Sequence, residues 1–332
     1  MEVWLHAFAN AGRVAPRARQ AEAWGYTGLL VADSQCLNAD VWVELALAAG
    51  ATRRLRVGPG VTNPATRHVT VTASAAATLQ AESGGRAVVG VGRGDSAVTK
   101  LGRRPVPEPA YARFLARLAA LLRGESVEID GTAVTVAAAA HGPPPPIDVA
   151  AAGPRVIGDA ARHAQRITFS VGAEPDRLRW AIGVARVAAE RAGRDPGELA
   201  LGAYLNVAVD EDRAAAAELV RGNTASFARF SAQGAPADGL SEMSQAVIAQ
   251  VGAAFDHDRH GHAGAAHARA MPNAFIERFA VVGPADHVVD RLRELAALGL
   301  DHAVVVPGSL DADPARVAES DERFASEVLP RL

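Results

Sequence analysis

Eight short apolar runs separated by helical patterns predict an α/β chain folded as one (β/α)8 TIM barrel over residues 1–332, with a helical insertion at about 211–280. Three observations carry this expectation. Strand and helix patterns alternate along the whole chain, as βαβ units require. The strand runs are apolar throughout rather than alternating, so both faces of the sheet are covered. No change in composition divides the chain in two, although 332 residues is long enough for two domains.

The elements follow in order. VWLHAF (3–8) reads as the first strand, and RVAPRARQAEAWGY as a helix whose Ala/Trp face recurs at three and four. TGLLVAD (27–33), the helix in DVWVELALAAGAT and the strand RLRVGPGV come next, then a helix over 68–82 and the strand RAVVGVG (86–92). A helix over 109–123 leads to ESVEIDGTAVTV, which suggests a small hairpin, and to a rigid run, Pro143–Pro146. Alternation resumes with IDVAAAG (147–153), RITFSVG (166–172) and LALGAYLNVAVD (199–210), with helices between them. After the Ala-rich 211–280 segment, ADHVVDRLRELAALG predicts a helix and DHAVVVPG (301–308) the closing strand.

In a barrel of this kind chemistry sits at the C-terminal ends of the strands. There the chain places His6, Asp33-Ser34, Thr62-Asn63, Arg93-Gly94-Asp95-Ser96, Gly153-Pro154-Arg155, Gly172, Asn206 and Pro307-Gly308. GPGVTNP (58–64) is the oddest of these ends. Proline cannot donate to a sheet and glycine suits close approach, so the segment is a turn or a backbone shaped to touch a ligand. GVGRGDS (90–96) is not a dinucleotide fingerprint, because its third glycine comes one position early and AVTKLGRRPVP reads as a loop. It is a tight turn or a ligand-facing one. AAAGPRVIGDAA (150–161) runs from a strand into Gly-Pro and a helix, which is either a capped helix start or an anion site.

Other features exclude functions. Net charge is −3, with no basic surface for nucleic acid or anionic membrane. Cys36 is the single cysteine, so neither an intrachain disulfide nor a cysteine metal site is expected. No window approaches the ~18 apolar residues of a membrane span, and MEVWLHAFAN lacks a signal-peptide pattern; a soluble cytoplasmic protein is expected. DHDRHGH (256–262) lacks regular His spacing and reads as a solvated loop, with no metal.

Three blocks in order, LRVGPGVTNPATRHVTVTASAAATLQAESGGRAVVGVGRGDS, IDVAAAGPRVIGDAARHAQRITFSVG and FAVVGPADHVVDRLRELAALGLDHAVVVPG, make the chain resemble the luciferase-like flavin and deazaflavin oxidoreductases. Within them it is most similar to the coenzyme F420-dependent branch that includes methylenetetrahydromethanopterin reductase. The resemblance implies a (β/α)8 barrel, a cofactor at its C-terminal mouth, and a homodimer formed through early helices. It implies that Gly60-Val61 is a non-prolyl cis peptide backing the deazaflavin, flanked by Thr62 and Asn63. It places Asp33 and Ser34 near the ring, Gly92, Arg93, Gly94 and Ser96 beside the cofactor, and Gly153, Pro154, Arg155 and Val156 at its phosphate. Asp95 or His6 would manage a proton. Ser34 stands where the sugar-phosphate dehydrogenases of the family have histidine, which argues against that reaction. The implied activity is hydride transfer from reduced F420 to an activated C=C or C=N bond of a small molecule. The alternatives are an FMN-dependent monooxygenase and a non-catalytic flavin-binding barrel. Substrate selection is expected in 222–275, where Phe227, Phe230, Met243 and Phe255 occur.

Overall fold

The computed structural model describes residues 1–232 and 237–332. In chain order the strands are β1 (Glu2–Phe8), β2 (Gly28–Ala32), β3 (Arg56–Pro59), β4 (Val89–Val91), β5 (Val127–Ile129), β6 (Thr132–Val134), β7 (Ile147–Ala151), β8 (Arg166–Phe169), β9 (Ala200–Val209), β10 (Val281–Gly283) and β11 (His302–Val306). Eight of them pair in parallel in the order β3-β2-β1-β11-β9-β8-β7-β4, and each lies on one of the eight runs expected from sequence. β5 and β6 form the antiparallel hairpin, and β10 extends the edge of β9. The 96–99 segment, expected as loop, is a short helix (Ser96–Thr99) in which the Val98 and Thr99 N–H groups bond Asp95 O.

The ring closes between β3 and β4 through two bridges, Val57 to Ala87 and Thr62 to Val91. The strands approach so closely there that a side chain has no room. A Cβ on Gly58 would stand 2.0 Å from Val88 O, and one on Gly90 2.0 Å from Pro59 O. GPGVTNP is therefore half of a backbone-to-backbone seam, and the glycines of RAVVGVG are the other half. The Gly60–Val61 peptide within it is cis.

The N-terminal end of the barrel is filled by a polar layer. Thr168 Oγ1 donates to Asp148 (2.7 Å) and stands 2.8 Å from His302 Nε2. Because the threonine has one proton, already given to the carboxylate, His302 Nε2–H donates to Thr168. Arg166 bonds Asp148 and Glu2 and lies 4.7 Å over the Trp4 ring. The rings of Trp4 and His302 occupy space left by Gly28 and Gly202 on neighbouring strands. Above this layer Trp4, Leu30, Val88, Tyr204, Val304 and Val306 form the apolar interior. The main core lies between barrel and helices, and a separate core forms among the helices Arg213–Ala232, Glu242–Ala254, Ala266–Arg269 and Asn273–Phe279. Among the described residues no helix is long and apolar enough to cross a membrane.

A Cβ at 202 would meet His302 Cδ2 at 2.2 Å. Gly202→Ala is therefore expected to lower unfolding free energy by about 1–3 kcal/mol in urea denaturation, the usual cost of overpacking; unchanged stability would show that the floor repacks freely.

Candidate active site

A cavity of about 490 Å³ opens where the barrel strands end, beneath the helix Arg213–Ala232 and the segment that follows Phe255. Its volume is that of a small-molecule site, roughly 300–1,000 Å³.

The wall at β1–β3 is built around the seam. His6 Nε2–H donates to Gly60 O at 3.0 Å, which leaves Nδ1 as the lone-pair nitrogen. Nδ1 is buried without a partner among the described residues, and enclosure lowers the His6 pKa, so the ring is neutral near pH 7. Asp33 accepts from Thr62 Oγ1 (2.7 Å) and from Arg67 Nε (3.4 Å). Asn63 Oδ1 accepts from the Ala65 and Thr66 N–H groups, closing a turn that keeps its amide at the cavity edge. Ser34 Oγ lies 2.8 Å from Ser96 Oγ, tying the β2 end to the β4 end.

At the β4 end Gly92 borders the cavity, where a Cβ would stand 2.8 Å from Val61 Cγ2. Arg93 Nε donates to Val106 O (2.7 Å). Asp95 is ion-paired with Arg229, which comes from the helix Arg213–Ala232 and lies over the rings of Phe230 (4.9 Å) and Phe255 (4.5 Å). A second ion pair, Lys100 to Asp258 at 2.6 Å, links the same two regions. At the β7 end the helix Pro154–His163 starts with proline, without a side-chain cap or an acid in its first turn. Its free N–H groups face the end of the barrel that holds the cavity.

A family model described as luciferase-like monooxygenase matches residues 2–302. The chain belongs to this family. A 5,10-methylenetetrahydromethanopterin reductase of Methanopyrus kandleri is 30% identical over 316 residues, 87% of this chain and 86% of that protein. The solved structure of a coenzyme F420-dependent tetrahydromethanopterin reductase from the same organism has a TM-score of 0.76 at 24% identity, covering 99% of this chain and 98% of its own. An F420-dependent secondary alcohol dehydrogenase, solved with an F420–acetone adduct, gives 0.75 at 19%, with the same coverage. At these identities the two structures establish the luciferase-like fold.

Of the residues singled out from sequence, His6, Asp33, Ser34, Gly60, Val61, Asn63, Gly92, Arg93, Gly94, Asp95, Ser96, Gly153 and Val156 border this one cavity. Thr62, Pro154 and Arg155 do not, nor do Gly172, Asn206, Pro307, Gly308, Met243 and Phe255, whereas Phe227 and Phe230 do. Thr62 is buried in the seam against Asp33, and Arg155 is exposed on its helix. In the 256–262 segment Asp256, His257, Asp258 and Arg259 are exposed, as expected of a solvated loop, and His257, Asp258, His260 and His262 also border the cavity. Sequence reasoning missed Tyr204 and Arg229. Tyr204 lies mid-strand rather than at a strand end, and Arg229 is one arginine among many on an Ala-rich helix; neither carries a local signal.

Burial lowers the His260 pKa to about 4, with Asp95 opposing and Arg229 adding to the shift. Between about 4 and 6.5 the unfolded chain binds a proton at this position that the fold does not, so the folded state loses stability as pH falls through that window. Thermal melts of the wild type and His260→Asn are expected to diverge there, the wild type losing more on acidification; parallel curves would place the ring in water.

Proposed function

We propose that this chain is an F420-dependent oxidoreductase that transfers hydride from the reduced cofactor to an activated C=C or C=N bond of a small organic molecule. The observation that carries the reading is one cavity on which thirteen of the sixteen residues that the resemblance assigns to the cofactor or to a proton converge. Its features fit a flat, anionic-tailed cofactor. Gly92 lets the Val61 side chain pack at the rim, where a Cβ would stand 2.8 Å from Val61 Cγ2. His6 Nδ1 is a buried acceptor awaiting a donor. The uncapped start of the Pro154–His163 helix suits a phosphate, with the Arg93 guanidinium bordering the cavity near the adjacent strand end.

When bound, a deazaflavin supplies the hydride. The chain supplies position and enclosure. His6 holds the Gly60 carbonyl and therefore the wall at Val61. Asp95 is ion-paired with Arg229 and Asp33 with Arg67, so both side chains are held in place at the cavity wall. Ser34 is committed to Ser96, in keeping with loss of the histidine chemistry of the sugar-phosphate dehydrogenases.

The same reading includes a homodimer. Val43 and Leu47 on the helix Val41–Ala51 and Val71 on the adjacent helix Val69–Glu82 are more than half exposed, an apolar patch suited to a second copy. Sedimentation is expected to give a dimer, and Val43→Glu with Leu47→Glu a monomer; a wild-type monomer ends this part of the reading.

Titration of the protein with F420 and with FMN separates the deazaflavin assignment from an FMN-dependent monooxygenase. Tighter binding of F420, and its oxidation from the reduced form by enones or imines, are the expected results; binding of FMN alone would overturn the reading. Gly92→Val is expected to weaken F420 about tenfold or more, ~1.4 kcal/mol, by displacing the Val61 side chain that a Cβ would meet at 2.8 Å.

A further inference from the structure

One side of the cavity is made of rings in unbroken contact. His6 meets Tyr204 edge-on at 6.2 Å, Tyr204 meets Phe227 at 5.9 Å, Phe227 meets Phe230 at 5.4 Å, and Phe230 meets His260 at 6.4 Å. All five border the cavity. The series crosses from the barrel wall at the cis peptide to the insertion, so it belongs to no single element. On the inserted helix the residues from Arg221 to Phe230 are buried except Phe227 and Phe230, whose partly open faces turn to the cavity.

Polar groups on this side are few. Tyr204 is 5% exposed, and its hydroxyl makes no hydrogen bond among the described residues although it is not sealed from the cavity. Asn223 Nδ2 is committed to Pro307 O and Gly308 O, and Ser226 Oγ to Gly222 O. The charges nearby are paired: Asp95 with Arg229, and Lys100 with Asp258. His260 is neutral near pH 7. Arg93, which makes no ion pair among the described residues, borders the cavity at the β4 end; on the ring-lined side a charged substrate group would be desolvated without a counter-charge, which is costly, whereas a flat ring would gain edge and face contacts.

We propose that the ring-lined side of the cavity is a subsite for an uncharged, planar, conjugated ring compound whose carbonyl or imine heteroatom accepts a hydrogen bond from Tyr204, with Phe227 and Phe230 as the residues that select the ring. The proposal rests on the reading above for the use made of the bound ring, but binding itself does not require the cofactor. The neutral tyrosine donates to the heteroatom beside the bond to be reduced, and the phenylalanine rings hold the plane of the compound. Specificity therefore lies in shape and in one hydrogen bond rather than in charge.

The test uses the full chain with coumarin as the neutral probe and coumarin-3-carboxylate as its charged counterpart, followed by isothermal titration calorimetry. Coumarin is expected to bind, and the carboxylate at least about tenfold more weakly, ~1.4 kcal/mol. Tyr204→Phe, which keeps the ring and removes the hydroxyl, is expected to weaken coumarin about fivefold, the value of one hydrogen bond. Phe227→Leu and Phe230→Leu are expected to weaken it severalfold and to reduce the preference for flat over saturated rings, measured with dihydrocoumarin and cyclohexanone. F420 titrated into the same variants is expected to bind as it does to the wild type. Equal or tighter binding of the carboxylate, or coumarin affinity unchanged in both Tyr204→Phe and Phe227→Leu, overturns the proposal. Coumarin binding with this pattern in a chain that fails to bind F420 supports the subsite and removes only the cofactor assignment.

Discussion

Closure of the barrel between β3 and β4 is the constraint on which the site depends. Elsewhere in the ring neighbouring strands share runs of paired residues, but this seam has two bridges and a handful of backbone hydrogen bonds. Thr62 N–H donates to Gly90 O and Gly92 N–H to Thr62 O, while Gly58 and Gly90 let the two backbones meet without side chains between them. Everything on the cavity wall is hung from this contact. Thr62 turns inward to hold Asp33, His6 reaches across to the Gly60 carbonyl, and Val61 and Gly92 face each other at the rim.

The barrel separates stability from chemistry along its axis. Its N-terminal end is closed by Asp148, Arg166, Thr168, His302 and Trp4, which bond and stack on one another and fill space left by glycines, with Arg166 Nη2 and His302 Nδ1 buried without a partner among the described residues. Burial pushes Asp148 up and His302 down, and Arg166 opposes the first of these shifts. Such a layer has no access to a ligand. Its titratable groups serve packing, as conservation of function to the opposite end of this fold leads one to expect. At the C-terminal end the Tyr204 hydroxyl has no hydrogen-bond partner among the described residues and is not sealed from the cavity, which makes it available to a bound molecule.

The helical segment between β9 and β10 completes the site. It contributes Arg229 to neutralise Asp95, Asp258 to meet Lys100, and Phe227 and Phe230 to roof the cavity. A barrel with only the β4 loop would leave Asp95 beside an open mouth. With the inserted helix in place, the carboxylate is paired and the space beneath the helix becomes apolar, which alters what can be bound there.

Much of this was legible in the chain. The eight apolar runs fall on the eight barrel strands because a strand covered on both faces must be apolar at every position, a local signal that survives without any knowledge of neighbours. The strand-end rule located most cavity residues because parallel strands carry all their C-terminal ends to one mouth. What the chain alone does not reveal is which residues meet across distance. Arg229 is 134 positions from Asp95, and the series His6, Tyr204, Phe227, Phe230 and His260 draws on two strands and an insertion. The barrel, its polarity and the glycines of the seam could be read from the chain, since they follow from periodicity and backbone sterics. Which charges are paired, which rings line the cavity and which polar atoms remain free emerge with the fold, because those properties depend on distances between residues that no local pattern encodes.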